Sequence, residues 1–229
     1  MTKITTSDNP RLKEVDSAIA ALTSKQRLAI AELDASLPNE HVPFTDARDV
    51  AGVLAGIKQV AYVSHGFISP TLLKKMGLHR VVTSSVAEVY SLDRATANEF
   101  KAAVKNTFSN LSVAMPGHKV QGKLLGYPKT STTYFMKRWA DIHKYPNVVL
   151  KSSIGTMSGE FFQDFILTPK HYNKEIREYS EPLEYATAIL LPRTYKKMRR
   201  MLRKYRFQNG MKRLIGRAPS SPIPELLVD

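Results

Sequence analysis

Short β-branched runs interrupt an otherwise helical pattern between residues 59 and 92, and this alternation constrains the fold more than any other feature of the chain. Gln59–Ser64, Arg80–Ser84 and Ala87–Leu92 are strand candidates. Pro70–Met76, closed by Gly77, reads as a short helix between the first two. Arg94–Asn106 then reads as a helix, with Phe100, Val104 and Phe108 spaced to pack inward. This order favours a sheet with helices over an all-helical bundle. It predicts an α/β or α+β fold with a mixed sheet, several helices and a basic C-terminal helix.

Helical spacing dominates elsewhere. Over 10–35, Leu12, Val15, Ile19 and Leu22 recur at three- and four-residue steps. A break is expected near Thr23–Ser24, with Ser24 capping a second segment that carries Leu28, Ala31 and Leu33 on one face. Pro38–Pro43 reads as a loop, and Asp46–Ile57 as a helix with Val50, Val53, Leu54 and Ile57 inward. After a semi-apolar, strand-like Leu111–Met115, one or two helical turns are expected over His118–Leu125, then a helix over Thr130–His143. Val148–Leu150 and Phe161–Leu167 are strand candidates around a polar loop, Ser152–Glu160. Tyr172–Tyr179 and Pro182–Leu191 read as helices separated at Ser180–Glu181, and Arg193–Phe207 as the last helix. The 229-residue chain is long enough to bury a core without cross-links.

Charge divides the chain where hydropathy does not. Arg193 to Arg217 holds eleven basic residues and no acidic one. Taking these eleven from the 34 basic residues leaves 23 against 20 acidic ones, a net of +3 out of +14. The organisation expected is a near-neutral body over 1–192, a basic amphipathic segment over 193–217 and a proline-rich tail over 218–229. Apolar residues at 195, 198, 202 and 205, with Met201 beside them, form a narrow seam on that segment. Lys196, Lys197, Arg199, Arg200, Arg203, Lys204 and Arg206 surround it, and Lys212 and Arg213 follow. Cations on a helix ridge suit phosphates, because releasing condensed counterions drives such binding. Tyr205 and Phe207 add surfaces on which bases stack. The partner expected is nucleic acid, with RNA and DNA both admitted. An anionic membrane surface, an acidic protein groove and a merely solubilising tail are the rivals.

The second functional reading is a small-molecule or phosphate-ester enzyme with an anion site over 117–133. Gly117–Lys123 has the G-x-x-x-x-G-K spacing of a phosphate loop, but Leu124 stands where a magnesium-binding hydroxyl is required. The strand-ending Asp93 lies upstream instead of downstream, so nucleotide hydrolysis is not expected. The following corner, with Gly126, Tyr127, Pro128 and a run of hydroxyls, places Lys123, Lys129, Thr130 and Ser131 near a new helix start, where an anion can sit.

Other chemistry is limited. The chain has no cysteine, which removes disulfides, thiolate catalysis and thiolate-bound metals. None of the six histidines, His41, His65, His79, His118, His143 and His171, pairs at i, i+4, and neither a metal nor a cofactor is expected. His65 stands out at a strand end, though a turn role is simpler. Glu160 and Asp164 do not make a convincing carboxylate pair, and no nucleophile elbow is present. The first residues lack an apolar leader core, and the apolar run Ala186–Pro192 is too short for a bilayer. A cytoplasmic location is the default expectation.

Overall fold

A computed structural model of the chain describes residues 9–38, 41–82, 87–107, 111–144 and 171–201. Helix α1 (Pro10–Ala20) starts at Asn9, whose side chain accepts from the Arg11 N–H at 3.1 Å, with Pro10 in the first turn. Its stripe is the expected one: Leu12, Val15 and Ile19 are buried. Helix α2 (Ser24–Ser36) is capped one residue earlier than expected. Thr23 and Gln26 form a reciprocal capping box, so Ser24 lies inside the helix. Its buried face is also rotated: Ala29, Ile30 and Leu33 are inward, and Leu28 is 73% exposed. The periodicity of α2 is weak, and packing against its neighbours decides which side faces in.

Helix α3 (His41–Leu54) begins where a loop was expected. Pro43 is tolerated because first-turn N–H groups have no partner within the helix to lose. Phe44, Ala47, Val50, Ala51, Val53 and Leu54 are buried. Polar groups on the same helix are buried too. Asp49 Oδ1 accepts from Arg48 Nε at 2.9 Å and Nη2 at 2.7 Å, and Lys58 Nζ lies 2.7 Å from the same oxygen. The Lys58 ammonium also stands 5.9 Å from the centre of the Tyr179 ring.

Strands β1 (Ala61–Ser64), β2 (His79–Val82) and β3 (Ala87–Ser91), with α4 (Pro70–Lys75) between the first two, lie close to their predicted positions. Sheet order is β1–β3–β2 and both pairings are antiparallel, with Ala61 opposite Tyr90 and Val82 opposite Glu88. The fold is therefore α+β. The expected mixed sheet is not what these three strands form: β1 and β2 run the same way, but β3 is inserted between them. A short connection makes β3 fold back on β2, so no parallel pair arises.

Alternation along the strands separates two apolar regions. Ala61, Val63 and Tyr90 join the main core with α1, α2, α3 and α4. Val60, Val81 and Val89 meet Ala97, Phe100 and Leu124 in a smaller one, with Val104 packed against it. Helix α5 (Arg94–Thr107) is capped by Asp93, which accepts from the Ala95 and Thr96 N–H groups and the Thr96 hydroxyl. Helix α6 (Leu111–Leu124) takes in the expected strand Leu111–Met115, carries Pro116 inside it and packs on α5. Leu124 ends it by accepting from the Gln59 and Val60 N–H groups, which ties α6 to the strand entrance.

Helix α7 (Lys129–Lys144) follows. Helix α8 (Tyr172–Glu175) and helix α9 (Glu181–Leu190) are joined by a π-helical turn, Ile176–Ser180, where a separation was expected. Asn9 Nδ2 donates to the Arg177 carbonyl within that turn at 2.9 Å, linking the start of α1 to the C-terminal helices. Residues 192–201 form α10. The strand candidates Val148–Leu150 and Phe161–Leu167, the loop Ser152–Glu160, the pair Glu160 and Asp164, and the tail 218–229 lie outside the described residues. No helix among the described residues is long and apolar enough to cross a membrane.

Candidate nucleic-acid interface

Helix α10 is held to the body at its start and along one side. Pro192 opens it, where a missing N–H costs nothing. Asp34 of α2, almost fully buried, accepts from the Arg193 N–H at 2.9 Å and the Thr194 N–H at 2.8 Å. A carboxylate 160 positions away in sequence thus does the work of an N-cap. Met198 is fully buried, and Tyr195 and Met201 pack against the main core. The Tyr195 hydroxyl donates to Glu184 at 2.8 Å; burial and this carboxylate push its pKa up to about 12. The apolar seam read from the sequence therefore faces the body over its described part.

The basic side chains divide by direction. Lys197 turns inward, donating to the Leu37 carbonyl at 3.1 Å and standing 6.0 Å from the Phe44 ring centre. Arg199 lies 3.4 Å from Glu184 and 6.0 Å from the Tyr195 ring centre. Lys196 and Arg200 are exposed and make no ion pair among the described residues, and the same holds for Arg193. Positions 193, 196 and 200 are spaced three and four apart, so these three cations share one helix face. Arg203, Lys204, Arg206, Lys212 and Arg213 lie outside the described residues, as do Leu202, Tyr205 and Phe207.

The corner at 117–133 is built differently from a phosphate loop. Gly117 and Gly122 are inside α6, so their N–H groups belong to the helix ladder. Gly122 is there for packing: a Cβ on it would fall 2.6 Å from Thr132 Oγ1. Gly126 ends the helix with φ +76°, and a Cβ there would lie 2.2 Å from the Ile57 carbonyl oxygen. Lys123 and Lys129 remain exposed. Thr130 donates its hydroxyl to the buried Glu175 carboxylate at 2.5 Å, and Ser131 is buried with no hydrogen-bond partner among the described residues. The first turn of α7 is thus met by a carboxylate of the chain itself.

No protein-family model, curated protein or solved structure matches this chain.

One polar constellation escaped the sequence reading. Glu88, buried on β3, accepts from Arg80 Nε and the Tyr90 hydroxyl through Oε2, and its Oε1 meets Arg80 Nη2 and His65 Nδ1, the latter at 2.9 Å. Arg80 above all, then Tyr90 and His65, hold the Glu88 carboxyl below the usual range against the opposing effect of burial. Burial and Glu88 raise the Tyr90 phenol. Asp46 sits at the same strand end, accepting from the Ser64 N–H at 3.0 Å, and burial lifts its pKa to about 6. The signal was there: Glu88 and Tyr90 are two apart on one strand, and Arg80 is opposite Tyr90. Pairing register, which brings Arg80 over, is not written in either strand alone. Of the other histidines, His79 and His171 are exposed and His118 meets Phe135 edge-on at 5.3 Å. The side chains of His41 and His143 lie outside the described residues. No group of three His, Asp or Glu side chains among the described residues is placed to hold a metal.

Proposed function

We propose that this protein binds nucleic acid, docking phosphates on the outward face of α10 and on the basic run that continues it to residue 217. One observation carries the reading: the apolar side of α10 is committed to the core while Arg193, Lys196 and Arg200 face solvent without ion pairs among the described residues. A membrane-surface helix and a helical ligand for an acidic groove both need a free apolar face, which weighs against those rivals. A cationic stripe about 10 Å long, the rise of seven helical residues, is comparable with two or three nucleotide steps of one strand. RNA and DNA are both admitted, and a cytoplasmic setting is part of the proposal. The enzyme reading at 117–133 has less support, since the Thr130 hydroxyl is already given to Glu175.

The test is binding of short single-stranded and duplex RNA and DNA across a salt series, comparing the full chain with the Arg193→Gln, Lys196→Gln, Arg200→Gln triple variant. Glutamine keeps the helix and removes only charge. Affinity should fall linearly on a log–log plot against salt, and the triple variant should reduce the slope by about 2–3. Affinity indifferent both to salt and to the triple substitution would overturn the proposal.

A further inference from the structure

A second cationic surface lies on the body, away from the basic tail in sequence. Helix α4 buries Leu72, Leu73 and Met76, which leaves Thr71 and Lys74 facing outward. Beside it runs β2, at one end of the strand order, with His79 and Arg80, and Arg94 opens α5 at the same place. These five side chains line an open cleft of about 450 Å³. That volume lies within the range of roughly 300–1,000 Å³ common for small-ligand sites.

The charge of this cleft is one-sided. Among the described residues no acidic side chain lines it. Lys74 and Arg94 make no ion pair among the described residues. Arg80 is held through Nε and Nη2 by Glu88 behind it, so its guanidinium is fixed in direction and its Nη1 is not used in that grip. Asp93, next to Arg94 in sequence, is occupied with the start of α5 through the Ala95 and Thr96 N–H groups and the Thr96 hydroxyl. Collecting like charges around a concavity raises the energy of the empty site, and a bound anion relieves it.

We infer that this cleft is a phosphate-binding site, formed by Lys74, Arg80 and Arg94 with His79 and Thr71 at its wall. A phosphate is preferred over a carboxylate because donors converge from three elements. A tetrahedral group with three free oxygens meets them from several sides, whereas a carboxylate offers two oxygens in one plane. The phosphate belongs either to a small phosphate ester or to a nucleic-acid backbone. The chemistry of recognition is the same in both.

Calorimetric titration of the full chain at constant ionic strength decides the matter, with inorganic phosphate, adenosine monophosphate, acetate and a short single-stranded oligonucleotide as probes. Lys74→Gln with Arg94→Gln should weaken inorganic phosphate and the monophosphate by about tenfold or more. Acetate should bind more weakly than phosphate throughout. Both positions are exposed and outside the Glu88 network, and Arg94→Gln alone should give a smaller change in the same direction. The Arg193→Gln, Lys196→Gln, Arg200→Gln chain should keep its phosphate affinity. Oligonucleotide affinity unchanged by the cleft substitutions assigns the phosphate to a small ester; a parallel loss assigns it to the backbone. The inference is overturned if phosphate affinity survives the cleft substitutions, or if acetate binds as well as phosphate. Loss of phosphate affinity in the α10 variant alone would overturn the cleft while leaving the α10 proposal standing.

Discussion

Arg48 and Lys58 lie buried around one carboxylate, Asp49, whereas Arg193, Lys196 and Arg200 stand exposed along α10 with no ion pair among the described residues. The same residue types meet opposite treatment. A buried cation must be matched at once by a nearby acceptor, because desolvation is costly. A solvated one carries no such demand, and an uncompensated row of them persists at little cost to the fold. The first arrangement joins α3 to the turn before β1. The second adds nothing to the core and leaves a field for a polyanion. Lys197 and Arg199 sit between the extremes, since they turn back toward Leu37 and Glu184 and help to hold α10 down.

Four experiments break or sharpen this contrast. The largest effect is expected at the buried group: Asp49→Ala takes away the carboxylate shared by two buried cations and should lower stability by about 3–5 kcal/mol. Urea unfolding would measure it, and a loss below 1 kcal/mol would mean these charges are not held as the geometry implies. Asp34→Ala comes next. It strips the acceptor from two N–H groups at the start of α10, and a cost of about 1–3 kcal/mol is expected. Faster amide exchange at Arg193 and Thr194 would accompany it.

Asp46→Asn should act in the other direction. Burial raises the folded pKa of Asp46 to about 6, above an unfolded value of about 3.9. The folded state then binds the extra proton, so stability falls as pH rises through the interval between those values. The asparagine keeps an acceptor for the Ser64 N–H and carries no charge. Linkage over that interval corresponds to about 3 kcal/mol at pH 7. Because an amide oxygen is a weaker acceptor than a carboxylate, a net gain of about 1 kcal/mol is expected, with the variant matching the parent below pH 4. Glu88 has the opposite sign, because its lowered pKa gives stability that is present at neutral pH and lost on acidification. The smallest effect on stability is expected from Arg193→Gln, Lys196→Gln, Arg200→Gln, within about 0.5 kcal/mol. Unfolding of that variant at a much lower urea concentration would show that these cations serve the fold after all, and the contrast with Arg48 and Lys58 would fail.

Local patterns are legible in the sequence where one short rule suffices. Leu12, Val15 and Ile19 are at helical spacing and are buried; β1, β2, β3 and α4 stand within two residues of where their composition places them. The rule failed where two signals competed. Leu111–Met115 looks like a strand in isolation and is helix, since α5 beside it supplies a surface for a continuous α6. Gly117 and Gly122 have the spacing of a phosphate loop, yet both lie inside α6, where Gly122 lets Thr132 of α7 come close. At the candidate interface, the seam at Tyr195 and Met198 was legible from spacing, and so was the charge around it.

Composition and periodicity alone established the class of elements, the absence of thiol chemistry and the concentration of positive charge after residue 192. They are properties of residues within a few positions of one another. Which surface receives the seam, which cations turn back to the body, and that Asp34 rather than a neighbour in sequence caps α10 were decided only by tertiary structure. So was the meeting of Arg80, His65, Tyr90 and Glu88. These arrangements join residues up to 160 positions apart, and no local pattern encodes which partner packing will bring within hydrogen-bonding reach.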